Sequence, residues 1–318
     1  MKKNNILVSG SLAYDRIMDF PGFFKDNILA DKIHILNICF LIKDLKESFG
    51  GTAGNIAYNL SLLEENPKVL YVVGKDFDRY EEWLLKNKIN ISLVKKDNKS
   101  FTAGAYIIND KANNQITAFY PGSQDNNYPE IVRKEKKVKL AIISPDNIKR
   151  MMKYAQIYRE KEIPFIFDPG QQISDFKSSF DLNKIVRSSK IVIGNDYEIE
   201  LILKKLKINR KKLSTLTEIL VVTKGDKGSE IITKGNHINI KAIKINKVKD
   251  PTGAGDAYRA GFMKGLISGL DLKKSGQLAS LVATYAISKF GTQEHVFDIK
   301  NINSKLKKLF NFSLDSIK

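Results

Sequence analysis

A glycine-rich turn that leads into a predicted helix is the part of this chain best equipped for chemistry. It occupies residues 249–261, with the sequence KDPTGAGDAYRAG. Gly253 and Gly255 let backbone N–H groups approach a ligand without an intervening Cβ, and the N–H groups of a helix start attract anions. Asp256 is either an ordinary helix cap or a base that accepts a proton from an attacking hydroxyl. An anion site beside a base predicts phosphoryl transfer.

A second glycine motif, GGTAGN, occupies residues 50–55. Gly51 and Gly54 open a predicted helix, and Asn55 in its first turn carries both a hydrogen-bond donor and an acceptor. Such a residue can orient a sugar without adding charge. The alternative is that the glycines only make a flexible helix entry.

Polar residues also follow the first predicted strand, Ile6–Ser9. Ser11 and Asp15 come just after this strand, and open α/β sheets place ligand-binding groups at the carboxyl ends of their strands. The Asp15 carboxylate could accept hydrogen bonds from two adjacent sugar hydroxyls. By itself, the local sequence favours a turn residue, or a residue at the edge of a lid, at Asp15.

The two glycine motifs lie about 200 residues apart, and together they resemble the N-terminal and C-terminal signatures of the ribokinase-like (PfkB) sugar and nucleoside kinases. Within that family the chain is most similar to the bacterial-type adenosine kinases. The stretches that carry this similarity are GSLAYD at 10–15, FPG at 20–22, FYPG at 119–122, DPGQQ at 168–172, NDYE at 195–198 and GTQE at 291–294.

The resemblance implies ATP-dependent phosphorylation of the 5′-hydroxyl of adenosine to give AMP and ADP, a purine salvage reaction with Asp256 as the base. It implies catalytic roles for Gly253, Ala254, Gly255 and Asp256, and nucleoside contacts by Ser11, Asp15, Gly51, Asn55, Phe119, Gln171 and Gln172. The ATP-binding residues would be Asn195, Thr223, Gly225, Gly228, Gly253 and Gly255. Two alternatives stay open: a ribokinase-like kinase of another nucleoside or simple sugar, and a non-catalytic nucleoside-binding or RNA-associated protein.

Physical reasons support a nucleoside acceptor. Phe119 offers a ring on which a purine could stack, and the Gln171 and Gln172 amides could hydrogen-bond the base or ribose. Without the resemblance, a phenylalanine in an apolar strand is usually core. The sequence departs from its relatives at Cys39, where a small hydroxyl residue is expected, and at Ala105, where an aromatic lid residue is expected.

The nucleotide side rests on two shorter motifs. Asn195 and Glu198 resemble the NxxE motif whose oxygen atoms help to hold Mg²⁺ through bound water, although Asn followed by Glu also starts ordinary helices. Thr223 and Gly225 match the nucleotide-binding turn of the family, whereas the local sequence by itself favours a β-hairpin turn. Neither a GxxxxGK[ST] loop nor a GxGxxG motif after the first strand occurs, which disfavours P-loop kinases and NAD enzymes.

Apolar β-branched segments alternate with helical patterns, which predicts an α/β fold: a ribokinase-like layered core with a mainly parallel sheet plus a small β lid. The predicted core is 1–17, 48–100 and 121–318, and the predicted lid segments are 18–47 and 101–120. Strands are predicted at Ile6–Ser9, Val69–Val73, Leu140–Ser144, Phe165–Asp168, Ile191–Ile193 and Leu220–Thr223. Helices are predicted at Ala53–Leu63, Tyr80–Lys88, Lys149–Arg159, Glu198–Lys205, Asp256–Ser268, Lys273–Phe290 and from Asn303.

Composition narrows the setting. The 318 residues carry 53 Lys and Arg against 35 Asp and Glu, a net charge of +18. The basic residues are spread along the chain, so we expect small-molecule ligands rather than a dedicated nucleic-acid partner. A lone cysteine, no apolar run long enough for a membrane span and no signal peptide predict a cytoplasmic protein. The resemblance adds Mg²⁺ with ATP, K⁺ near Asp250, Thr252 and the 291–293 loop, and a homodimer through the lid edge.

Overall fold

The computed structural model describes residues 5–112, 114–123 and 127–316. The strands are β1 (Asn5–Ser9), β2 (Ala13–Asp19), β3 (Asp44–Gly50), β4 (Lys68–Leu70), β5 (Val72–Gly74), β6 (Lys95–Asp97), β7 (Ala103–Asn109), β8 (Gln115–Tyr120), β9 (Val138–Ile143), β10 (Phe165–Phe167), β11 (Ile191–Asn195), β12 (Ile219–Thr223), β13 (Ser229–Thr233) and β14 (Asn236–Ile240). The α-helices are α1 (Thr52–Leu62), α2 (Asp78–Lys86), α3 (Ile148–Glu160), α4 (Ser179–Ser188), α5 (Asp196–Leu206), α6 (Arg210–Leu213), α7 (Ala254–Ile267), α8 (Leu272–Ala286) and α9 (Ile299–Phe310). In these ranges every helix is too short or too polar to cross a bilayer.

Eight strands form one large sheet in the order β14-β13-β12-β11-β10-β9-β1-β4. The strands from β4 to β12 in this order are parallel, and β13 and β14 extend the sheet as antiparallel strands at one edge. Parallel strands need helical crossovers, which the alternation of strands and helices supplies. The carboxyl ends of the parallel strands therefore meet at one edge of the sheet.

Both faces of this sheet are buried, as a parallel sheet requires. Ile6 and Val8 of β1 pack into one core layer with residues of α1 and α7, whereas Leu7 packs into the other layer with residues of α3 and α4. All three side chains are fully buried. This alternation explains why β1 reads as a continuous apolar run. The predicted layered α/β fold with a mainly parallel sheet is confirmed.

Most predicted elements lie where the sequence placed them, but two differ in extent and two strands were not predicted. The segment 69–73, predicted as one strand, is broken at Tyr71, because β4 pairs with β1 while β5 leaves the large sheet and pairs with β6. The sequence predicts neither β13 nor β14, whose pattern is interrupted by polar residues at an exposed edge. The helix predicted to reach Phe290 ends at Ala286.

A second sheet of four strands, in the order β3-β2-β7-β8, contains the segments predicted as a lid. The pairing of β2 with β3 is continuous from Ala13 opposite Gly50 to Asp19 opposite Asp44. This sheet therefore takes in residues 13–17 and 48–50, beyond the segments 18–47 and 101–120. The chain between β2 and β3 contains two short 3₁₀ turns rather than extended structure throughout. The division into core and lid stays a prediction.

Candidate active site

The glycine-rich turn leads into α7, which starts two residues earlier than the predicted Asp256, so that Gly255 lies in its first turn. Gly253 has a φ of +78°, a left-handed conformation that favours glycine, and α7 begins at Ala254. The N–H groups of Gly255 and Asp256 have no acceptor among the described residues. A helix start leaves such groups available for an anion. The turn therefore presents backbone donors next to the Asp256 carboxylate.

Asp256 has the properties of a general base. Its Oδ2 accepts a hydrogen bond from Nδ2 of Asn55 at 2.8 Å. Burial raises the pKa of Asp256 to about 6, against the lowering effects of the Arg259 charge and of this hydrogen bond. A carboxyl group with a pKa just below neutrality is largely ionised at pH 7 and still holds a proton well, which is the balance that proton abstraction needs.

Arg259, one turn further along α7, lies beneath the glycine turn. Its guanidinium is buried and pairs with the carboxylate of Asp168, which follows β10, and with Oε2 of Glu198 at 3.8 Å. A Cβ at Gly255 would approach its Nη1 to 2.7 Å, so the glycine also makes room for this side chain. Arg259 is therefore a buried member of the site and does not pair on the helix surface.

The first glycine motif is held against the end of β1. Gly51 has a φ of +85°, and a Cβ there would lie 2.4 Å from the backbone oxygen of Ser11. The Ser11 hydroxyl accepts a hydrogen bond from the N–H of Thr52 at 3.1 Å. Both predicted ligand residues therefore fix the start of α1, and the nucleoside contacts assigned to them stay predictions. Asn55, nearly fully buried, points to Asp256.

Asp15 lies on β2, in the lid sheet, and faces the same region. A Cβ at Gly50 would lie 2.3 Å from its Oδ2, so the carboxylate rests directly on the glycine backbone. Burial, followed by the nearby charge of Asp250, raises the pKa of Asp15 to about 6. The Asp15 carboxylate accepts no hydrogen bond from the described part of the chain. An unpaired, partly buried carboxylate is suited to receive hydroxyl groups from a ligand.

Three lid residues line up across neighbouring strands. Asp15 pairs with Ala105 of β7, and Ala105 pairs with Phe119 of β8. Residues in register on adjacent strands share one face of a sheet, so Phe119 lies on the same face as Asp15. Its side chain is half exposed, and the small Ala105 leaves the ring uncovered. Phe119 is therefore not a core residue, contrary to what an apolar strand alone would predict. Its stacking on a nucleobase stays a prediction.

The remaining predicted nucleoside residues lie at the end of β10. Gln171 and Gln172 belong to a 3₁₀ turn that starts at Gly170, directly after Asp168 and Pro169. The Gln171 side chain is exposed, and that of Gln172 is partly exposed. Neither makes a side-chain hydrogen bond in the described ranges. Their contact with a ligand stays a prediction. Cys39, one of the two departures from the family, is exposed between β2 and β3.

Asn195 and Glu198 form a reciprocal cap at the start of α5. The Asn195 side chain accepts a hydrogen bond from the N–H of Glu198, and the Glu198 carboxylate accepts one from the N–H of Asn195, each at 2.8 Å. The motif therefore caps a helix, which is its ordinary structural role. The pKa of Glu198 is raised by burial and, to a smaller extent, by the carboxylate of Asp168, against the lowering effect of the Arg259 charge.

The predicted nucleotide turn is a hairpin between β12 and β13. Thr223 is in register with Asn195 on β11, which brings the two motifs together at the carboxyl edge of the sheet. Gly225 has a φ of +56° and open space where a Cβ would be, whereas a Cβ at Gly228 would lie 2.0 Å from the backbone oxygen of Ile240. Gly225 is accessible to a ligand, and Gly228 is required by packing.

The donor set suits magnesium bound through water. The described residues contain no group of three or more His, Cys, Asp or Glu side chains that could hold a metal directly. Three carboxylates, those of Asp168, Glu198 and Asp256, surround the one guanidinium of Arg259. Hard oxygen groups with excess negative charge fit a hydrated divalent cation. That Asn195 and Glu198 would hold such an ion through bound water stays a prediction.

The loop after α8 contains residues whose contacts around Asp256 were not predicted from the sequence. Gln293 donates a hydrogen bond to Oδ1 of Asn55 at 3.0 Å, and Thr292 donates one to the backbone oxygen of Phe49 at 3.1 Å. The N–H of Gly291 donates to Asp250 at 3.1 Å. The GTQE stretch carried a signal through its family resemblance, but the sequence does not show which residues it contacts.

Comparison with known proteins identifies the family of the chain. Residues 24–298 match the model of the pfkB family carbohydrate kinases. A nucleoside kinase of Methanocaldococcus jannaschii is 32% identical over 310 residues, which are 96% of this chain and 98% of the relative.

Two solved structures of the Burkholderia thailandensis nucleoside kinase are also similar. The complex with inosine has a TM-score of 0.86 at 31% identity and covers 97% of this chain and 99% of its own. The complex with ADP-inosine has a TM-score of 0.83 at 32% identity and covers 97% of each chain. The fold is thus that of known nucleoside kinases.

Proposed function

The chain belongs to the pfkB family of carbohydrate kinases, and on that premise we propose that it is an ATP-dependent nucleoside kinase that phosphorylates the 5′-hydroxyl of adenosine to give AMP and ADP. The observation that carries the proposal is the start of α7, where free backbone donors adjoin the Asp256 carboxylate. An anion cradle and a base in one turn are the two protein groups that transfer of a phosphoryl group to a hydroxyl needs.

Asp15 and Phe119 support a nucleoside as the acceptor. The Asp15 carboxylate has no protein partner in the described ranges and can accept hydrogen bonds from the two ribose hydroxyls. The half-exposed ring of Phe119 lies on the same face of the lid sheet, two strands away. A ribose at the carboxylate would therefore place its base towards an aromatic surface, which a free sugar does not need.

The residues present select less strongly which purine base the acceptor nucleoside carries. Gln171 and Gln172 carry amide groups that both donate and accept, so they could read either the 6-amino group of adenosine or the 6-oxo group of inosine. The relative from B. thailandensis was solved with inosine. Inosine is therefore the second candidate acceptor, ahead of a simple sugar.

ATP is proposed to lie across the carboxyl edge from Thr223 and Gly225 to the α7 turn. Asn195 and Glu198 would hold Mg²⁺ through water, and the ion would neutralise phosphate charge. The N–H groups of Gly255 and Asp256 would receive the transferred phosphoryl group. Asp256 would accept the proton of the 5′-hydroxyl as that oxygen attacks, and the lid would exclude water.

A substitution at Phe119 tests the nucleoside assignment. Base–aromatic stacking contributes about 1–3 kcal/mol, so we expect Phe119→Ala to raise the KM for adenosine and inosine by roughly five- to a hundredfold and to leave the KM for ribose unchanged. Phe101→Ala is the matched control, because Phe101 is also half exposed and precedes β7. The measurement is the rate of ADP formation with adenosine, inosine, guanosine, cytidine, ribose and fructose.

Three results of this panel would change the proposal. Faster turnover of ribose or fructose than of any nucleoside would indicate a sugar kinase of the same fold. An unchanged nucleoside KM in Phe119→Ala would remove the stacking assignment. No ADP formation with any acceptor, together with salt-sensitive RNA binding, would favour the non-catalytic alternative.

A further inference from the structure

A chain of three side chains connects helix α2 to the proposed base. The indole N–H of Trp83 donates to Oε1 of Gln293 at 3.0 Å. Nε2 of Gln293 donates to Oδ1 of Asn55 at 3.0 Å. Nδ2 of Asn55 donates to Oδ2 of Asp256 at 2.8 Å. The chain joins α2, the loop after α8, α1 and α7, which are remote in sequence.

Trp83 fixes the direction of every hydrogen bond in this series. An indole N–H can only donate, so the atom of Gln293 that faces Trp83 must be its amide oxygen. Nε2 of Gln293 also donates to the Tyr80 hydroxyl at 2.6 Å, and this hydroxyl donates in turn to the backbone oxygen of Gly50 at 2.7 Å. Gln293 is thus held in one orientation of its amide from two sides.

That orientation determines which end of Asn55 meets the base. Because Gln293 presents an N–H group, Asn55 must present its oxygen to Gln293 and its own N–H group to Asp256. The reversed Asn55 amide would place its oxygen against the carboxylate and leave two donors facing each other. Oδ2 of Asp256 is occupied in this way, whereas its Oδ1 has no hydrogen-bond partner within the described ranges.

We propose that Gln293, held by Trp83, is a positioning residue that fixes the Asn55 amide as a donor to Oδ2 of Asp256 and so reserves Oδ1 for the hydroxyl of the acceptor. The inference rests on the proposed function, since it assumes that Asp256 is the base. It gives the GTQE stretch a role that is separate from any ion bound near Asp250. It also makes Asn55 a partner of the base in addition to its expected contact with ribose.

Other groups around Asp256 also act on its pKa. Arg259 on the same helix favours the ionised carboxylate, whereas Asp168 after β10 and Glu198 on α5 oppose it. Tyr80 on α2 also faces this region. The Asn55 N–H group favours the ionised form. Losing that donor therefore raises the pKa of the base, and a reversed amide raises it further.

The test is the pH dependence of kcat/KM for adenosine in Gln293→Met, which keeps the length of the side chain and removes its polar atoms. We expect the acidic limb, near pH 6 in the wild type, to move to higher pH by up to about one unit. We also expect kcat to fall by roughly ten- to a hundredfold with little change in the Kd for adenosine. Equal losses at all pH values would show a merely structural role and would overturn the proposal.

Two further variants keep the test decisive. Trp83→Phe removes only the indole donor, and we expect a smaller shift of the limb in the same direction; if Gln293→Met does not fold, this variant decides alone, and an unmoved limb overturns the proposal. Tyr58→Phe is the matched control, because the Tyr58 hydroxyl donates to the backbone oxygen of His295 in the same loop at 2.7 Å without joining the chain. Its stability should fall, and its pH profile should match the wild type.

Failure of this inference can be told apart from failure of the proposed function. If the wild-type protein has no acidic limb, or if Asp256→Asn keeps its turnover, then Asp256 is not the base and the proposed mechanism fails. If Asp256→Asn is inactive while the limb of Gln293→Met stays in place, only the positioning role is wrong.

Discussion

Replacing Asp256 by asparagine is expected to lower kcat by roughly 10²–10⁴-fold, the range that a positioned general base contributes. The substitution preserves size and keeps an oxygen that can accept the hydrogen bond from Asn55, but the amide cannot take a proton. The Kd for adenosine should change little, because the proposed ribose contacts are made by Asp15 and Asn55. The measurements are kcat from AMP formation and the Kd from calorimetry without ATP.

The control for this variant is Asp298→Asn. Asp298 is an exposed cap of α9 whose side chain accepts a hydrogen bond from the N–H of Asn301, and asparagine can cap a helix equally well. We expect wild-type turnover from it. Turnover of Asp256→Asn within a few-fold of the wild type would remove the proposed base and leave the α7 turn as an anion site only.

Replacing Arg259 by methionine is expected to reduce the free energy of unfolding by about 3–5 kcal/mol, the usual cost of breaking a buried ion pair by removing one partner. The Arg259 guanidinium lies among the carboxylates of Asp168, Glu198 and Asp256 and offsets part of their negative charge. Without it, three acidic groups crowd a region with little access to water. Urea denaturation of the wild type and the variant measures the difference.

Two companion variants separate this effect from a general loss of arginine. Arg187→Met removes an exposed arginine on α4 that bonds only Asn183 among the side chains described, and it should cost no more than about 1 kcal/mol. The double variant Arg259→Met with Asp168→Leu should recover part of the lost stability, because one unpaired carboxylate is then gone. Equal stability of Arg259→Met and Arg187→Met would contradict the buried ion pair.

Local patterns were sufficient to predict the residues that act through the backbone. Gly253 and Gly51 lie where the sequence expects a helix to begin, and both have the positive φ that their role needs. The parallel core followed from apolar runs that alternate with helical periods. The extent of the lid was harder to predict, because its sheet begins at Ala13, where the strand pattern continues from that of β1 in the core.

Contacts between distant side chains were not predictable in this way. Arg259 meets Asp168 across 91 positions, and Gln293 meets Asn55 across 238. No spacing or periodicity relates such pairs, since only the folded sheet brings their elements to one edge. The sequence indicated that Asp256 is chemically special through its glycine neighbours. Apart from burial and Arg259 on the same helix, however, the side chains that act on its pKa come from three other segments.

By the proposed function, this chain transfers the γ-phosphoryl group of ATP to the 5′-hydroxyl of a purine nucleoside with Asp256 as the base. Incubation of the protein with ATP, Mg²⁺ and adenosine, inosine or 5′-deoxyadenosine, with products identified by mass and by phosphorus NMR, tests it most directly. We predict equimolar ADP and a nucleoside 5′-monophosphate from adenosine or inosine, and no product from 5′-deoxyadenosine. Phosphorylation of 5′-deoxyadenosine, or phosphate on any other hydroxyl of adenosine, would contradict the account.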